Sequence, residues 1–199
     1  MTEASRVAGR QIVICVINIM KSIQKGNRMT LVKRLNSMQL PLTNAALSIL
    51  LVRLFLAYEW LNSGTGKIQS ILTNSSAYFA GLSNVFGTVW TKTNPYPFMT
   101  SFLTNVAAPN ASTFVTLVAV VEVLVGLSMI LGLLTRVGAV GGVIMNLIFY
   151  FAAGHTSAST AGINLMMIGA QLAMIIAPGG RVLGLDAILH RKFTRVPLW

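Results

Sequence analysis

Residues 113–134 read TFVTLVAVVEVLVGLSMILGLL, the longest uninterrupted apolar run of the chain, and Glu122 sits in its middle. Roughly 20 apolar residues at about 1.5 Å rise cross the hydrocarbon core of a bilayer as a helix. A carboxylate at that depth costs about 2.5 kcal/mol or more, so it needs a partner or a task. The chain has only four acidic residues, and two of them, Glu59 and Glu122, lie inside apolar segments. The run therefore fixes lipid as the solvent, and its acid is the first candidate for chemistry.

The rest of the composition agrees. Hydrophobic residues make up 54% and charged residues 10%, against about 25% charged in an ordinary soluble domain. The net charge of +11 does not point to nucleic acid. Its cations concentrate in residues 6–34 and 181–195, flanking the apolar segments, as the positive-inside rule and anionic headgroups require. Cys15 is the single cysteine and His155 and His190 are far apart, so no spacing for a disulfide, zinc site or haem pair exists. Redox chemistry in such a chain needs an organic carrier, or metal and flavin on another subunit.

The pattern predicts an all-α integral membrane four-helix bundle. Spans are expected at about 45–63, 113–134, 137–153 and 161–177, the last stopped by Pro178, Gly179 and Gly180. Residues 1–44 form a basic N-terminal segment, 45–180 the membrane domain and 181–199 a basic tail. Within the first segment, 12–20 is too short to span and reads as an interfacial helix, or as a stretch preceding a start at Met29. Lys and Arg in both termini and at Arg136 place these on the cytoplasmic side of the plasma membrane. Residues 64–112 then form a long extracytoplasmic first loop, too long for a mere connector, with small helices over the bundle as one use for it. It carries sequons at Asn74 and Asn110 and aromatics including Trp90.

Counting residues from the cytoplasmic ends puts Glu122 roughly 18 Å deep, Glu59 roughly 21 Å, Asn164 near 20 Å, and Arg53 and Asn146 at about 12 to 14 Å. Long side chains bridge such layers, which predicts a buried polar cluster of Arg53, Glu122, Asn146 and Asn164. Gln171 shares a face with Asn164, and Gly138, Gly142 and Asn146 form a small-residue face. Two uses stay open: hydrogen bonds that only select helix partners, or a pocket and proton route. Glu59 is either a site acid or a snorkelling one. Trp60, Trp90, Phe149 and Tyr150 can stack on a flat ring or anchor the interface. Lys67 and Lys92 are the only cations of residues 64–112.

These residues also resemble a known family. EVLVG at 122–126 and GLLTR at 132–136 look like the E…G…G..TR signature of DoxX/DoxD-type membrane proteins. Arg53, Gly64 and Lys67 follow the family's first-helix spacing, NPYP at 94–97 and APN at 108–110 its long-loop branch, and residues 178–186 its GPGRYxLD ending. Ser63 departs from the pattern, because many relatives place a histidine there. The resemblance implies a four-helix subunit, and its DoxD branch implies the quinone-reacting part of thiosulfate:quinone oxidoreductase with a small DoxA-like partner. On that basis a quinone head is expected near Arg53, Glu122 and Asn146, with Trp60, Asn164 and Tyr150 around it. Glu122, Arg53 and Glu59 are then the catalytic candidates, and Lys67 and Lys92 would attract thiosulfate. The rival readings are a non-catalytic accessory subunit of a larger respiratory or metalloenzyme complex and, more weakly, a transporter.

Overall fold

The computed structural model describes residues 44–193. The expected interfacial helix, the Met29 start and the last six residues lie outside that range. Among the described residues there are helices and turns and no strand. Four helices are long and apolar enough to cross a membrane, so the chain is a multi-pass membrane protein.

Helix α1 spans Asn44–Asn84. It does not stop at Ser63, as the sequence pattern predicts. The polar residues beyond that point stay helical because their hydroxyls turn back onto the preceding turn: Thr65 donates to the Leu61 carbonyl (2.6 Å), Ser70 to Gly66 (3.0 Å) and Thr73 to Gln69 (2.8 Å). The break comes at Asn74, whose backbone leaves the helical region (φ −154°, ψ 76°), and whose side chain accepts from the Ala77 amide at 3.3 Å. Up to that kink α1 is about 45 Å long, more than the hydrocarbon core requires. A π-helical turn (Val85–Val89), a short helix α2 (Pro97–Phe102) and a second π-turn (Leu103–Ala107) follow. The predicted outer loop is therefore mostly helical.

The other spans are α3 (Ala111–Leu131), α4 (Thr135–Ala153) and α5 (Ala158–Ile176). Close approaches give their directions. Gly64 meets Val123 while Gly126 meets Leu61, Gly138 meets Ser128 while Gly141 meets Val125, and Gly142 meets Gln171 while Gly154 meets Ala161, so neighbours run antiparallel. The shared interior is apolar, with Leu56, Trp60, Met129 and Met174 almost wholly buried. Several of its members are methionines, unbranched side chains that fill irregular gaps. Outward faces are equally apolar: Leu51, Phe55, Leu117, Leu124 and Met166 are all exposed. An all-round apolar helix is the pattern of a lipid-facing span.

Helix α3 closes on Gly132, whose left-handed backbone (φ 60°) lets the Leu133 amide reach the Ser128 carbonyl at 3.0 Å. Leu134 is also left-handed (φ 52°), a conformation unfavourable for a residue with a Cβ. It is held by Asp186, at the start of the last short helix, α6 (Asp186–Lys192). The carboxylate accepts from the Leu134 amide at 2.7 Å and the Thr135 amide at 3.0 Å, and so caps α4 from far along the chain.

Candidate functional site

The two cations of α1 find different partners. Lys67 Nζ donates to Glu122 Oε2 at 2.8 Å, to Glu122 Oε1 at 2.9 Å and to Ser63 Oγ at 2.7 Å. Through Lys67 the three residues form one triad. The glutamate side chain is 1% exposed and that of Lys67 26%. Helix α1 and helix α3 are almost in backbone contact here. A Cβ on Gly64 would lie 2.8 Å from Val123 Cγ2 and 3.0 Å from its backbone nitrogen, and one on Gly126 2.6 Å from Leu61 Cγ. The glycines of the E…G motif and of the first helix thus permit the close contact that brings the acid to α1.

Arg53 lies at the other end of α1 and does not meet Glu122, contrary to expectation. Its guanidinium donates to the carbonyls of Gly179 (2.8 Å), Val182 (2.7 Å) and Leu183 (3.5 Å), and Asp186 attracts it electrostatically. It packs beside Gly132 and Gly184, where any added Cβ would press on it. The depth count fails for a simple reason. Gly64 lies against Glu122 and Val123, so Arg53, eleven residues earlier on α1, is roughly 16 Å further along the axis, and in two antiparallel helices the side chains of Arg53 and Glu122 also lean away from one another. Lys67, placed further along α1, leans back toward Ser63 and meets the acid.

The remaining cluster also divides. Asn146 donates to Gln171 Oε1 at 3.3 Å between α4 and α5, both residues being buried. Asn164 instead bonds its own helix, at the Thr160 carbonyl (2.8 Å). Glu59 is half-buried, and no hydrogen bond or ion pair among the described residues joins it to the triad. Trp60 belongs to the core. Tyr150 packs edge-on against Phe151, with centroids 5.6 Å apart. Lys92 is exposed in the turn after the first π-helix, and Lys67, the other predicted anion-attracting residue, sits on a helix and is already paired.

Beside the triad lies a cavity of about 110 Å³. Phe86, Trp90, Phe102, Phe114 and Phe149 supply its rings, and Lys67 and Tyr78 are its main polar groups. Of the four aromatics singled out as possible stacking partners, Trp90 and Phe149 line it and Trp60 and Tyr150 do not. The two π-turns form part of the wall through Phe86, Leu103 and Ala107. Asn94 fastens this hood to α4: its Nδ2 donates to the carbonyls of Phe151 (3.0 Å) and Ala152 (3.2 Å), and its Oδ1 accepts from the Tyr96 amide at 2.9 Å. A side chain that satisfies free carbonyls at a helix end explains why an asparagine opens the NPYP turn.

Sequence reasoning missed Ser63, Tyr78, Asn94 and Asp186. Asp186 carried a signal, being one of four acids in the chain. Ser63 was visible only as a departure from the family pattern. Tyr78 and Asn94 lay within residues read as loop.

The arrangement offers an acid–base–hydroxyl triad that reaches the wall of an aromatic cavity through Lys67. It can hold a flat apolar ring with the Lys67 ammonium at one edge. A cavity of about 150 Å³ binds benzene in a well-studied engineered protein, so 110 Å³ is of the order that takes one six-membered ring. No solved structure matches the chain. A family model does, that of DoxD, described as the TQO small subunit DoxD, and because it matches residues 48–198 the chain belongs to the DoxD family.

Proposed function

We propose that the chain is the membrane subunit of a thiosulfate:quinone oxidoreductase-type complex and passes electrons from a donor outside the cytoplasm to membrane quinone. The observation that carries this reading is the aromatic cavity with Lys67 at its wall and Glu122 paired to that lysine behind it, in a chain of the DoxD family. The lining fits a quinone head: rings to stack on, little polar surface, and an ammonium able to donate to a ring oxygen. When bound, quinone supplies the two-electron, two-proton acceptor. Lys67 would orient that acceptor, Glu122 would hold the proton Lys67 needs back, and Tyr78 would close the polar edge of the cavity. Arg53 and Asn146 take no part, since each is engaged elsewhere.

Thiosulfate, the donor the family implies, is an anion. With Lys67 paired, Lys92 is the remaining cation of residues 64–112, too little to bind an anion unaided. A small DoxA-like partner therefore completes the donor site. In this reading the complex sits in the plasma membrane with both termini cytoplasmic.

Filling the cavity tests the proposal. Val115, buried on α3, lines it, and Val115→Phe should lower thiosulfate-dependent quinone reduction by more than tenfold in membranes that retain normal amounts of the complex. Unchanged turnover would show that quinone reacts elsewhere.

A further inference from the structure

We infer that Glu122 is a selectivity residue: by neutralising Lys67 it makes the aromatic cavity a site for uncharged rings bearing a carbonyl and closes it to aromatic anions. The inference rests on the reading of this cavity as the ligand site, and adds the charge class that the site accepts.

The argument starts from the donors of Lys67. An ammonium has three N–H bonds, and three contacts absorb them, two to the carboxylate of Glu122 and one to Ser63 Oγ, all between 2.7 and 2.9 Å. The cation therefore has no vacant donor directed at the cavity. A ligand oxygen gains a hydrogen bond only by replacing one of these acceptors. Ser63 is the cheaper one to displace. It is neutral and half-buried, whereas Glu122 is 1% exposed and would be left as an unpaired carboxylate in an apolar interior. A neutral carbonyl exchanged for a neutral hydroxyl keeps the local charge at zero.

An anion faces a different balance. In place of Ser63 it would add a second negative charge beside Glu122, among walls made of phenylalanine and tryptophan rings. Among the described residues no other cation lines the cavity to offset it. Rejection of a ligand by like charge in a low-dielectric site is a stronger discriminator than any attraction available there. The reaction's anionic donor is thereby kept out of the acceptor site, which prevents the two substrates from competing for one cavity.

The test uses two small probes with the same ring, methyl 4-fluorobenzoate and 4-fluorobenzoate, titrated into the full chain in neutral detergent and followed by ¹⁹F line broadening. The Val115→Phe variant serves as the blank for partition into micelles. The wild type should bind the ester at least tenfold more tightly than the anion. Glu122→Gln should reverse that order, because Lys67 is then an uncompensated cation. The double variant Lys67→Gln/Glu122→Gln should lose the reversal. Equal binding of both probes to the wild type would overturn the inference. So would an order unchanged in Glu122→Gln while that variant still binds the ester. Displacement of the ester by duroquinone separates the two claims: if the charge preference holds and duroquinone does not compete, the quinone reading fails and the selectivity assignment stands.

Discussion

Helix α1 carries two cations, one buried and one half-buried, and they serve different ends. Arg53, 1% exposed, is enclosed by the carbonyls of a turn that follows α5, in a region with no room to spare. Lys67 has a side chain about a quarter exposed and shares its ion pair with the wall of a cavity. The first arrangement is a clasp: the guanidinium spends its rigid fork on backbone groups, which have no proton to give at neutral pH. The second joins two groups that can each gain or lose a proton, next to empty space. Burial of charge alone does not mark a site. What marks it is a titratable partner and a place for a ligand.

The sharpest way to break this comparison is to remove each charge in turn. Arg53→Met should be the most damaging, because it strips donors from the Gly179 and Val182 carbonyls and leaves Asp186 without its neighbouring cation. A loss of about 3–5 kcal/mol is expected, the usual cost of breaking a buried charged network. It would be read as a collapse in the yield and thermal stability of the detergent-extracted protein. If Arg53→Met remained as stable as the wild type but lost turnover, the clasp would have to be redrawn as part of the site.

How far the sequence alone reached follows from the same contrast. Four spans and the family were legible, because hydropathy and ordered motifs are local properties of the chain. The pairing was not. Arg53, Glu122, Asn146 and Asn164 had plausible depths, but depth is one coordinate. Helix direction and side-chain lean decide the rest. The continuation of α1 was hidden by composition: the Ser, Thr and Asn residues that signal a loop in water satisfy themselves inside a helix when packing holds it. Asp186 acts on α4 across about fifty residues of sequence, a contact no local pattern encodes.

Glu122→Gln should behave in the opposite way to Arg53→Met. The amide keeps the shape and one acceptor, and Lys67 is exposed enough to turn toward water, so the stability loss should be about 1–2 kcal/mol. Quinone reduction should nevertheless fall by at least tenfold while the protein still inserts. A variant with near-normal turnover would assign the triad to packing, alongside the clasp.

The smallest effect should come from Lys92, and it is the one that separates this chain's work from that of the proposed partner. Lys92 is exposed, and its backbone amide already bonds the Thr88 carbonyl at 3.2 Å. The backbone geometry of its turn therefore does not depend on its charge. If thiosulfate were captured by residues of this chain, Lys92→Gln would raise the apparent KM for the donor several-fold, and added salt would mimic the mutation through screening. If the donor site belongs to the partner, the change should stay below twofold at every ionic strength, with the KM for quinone unaltered. We expect the second outcome, since a single solvated ammonium contributes little to binding an equally solvated anion.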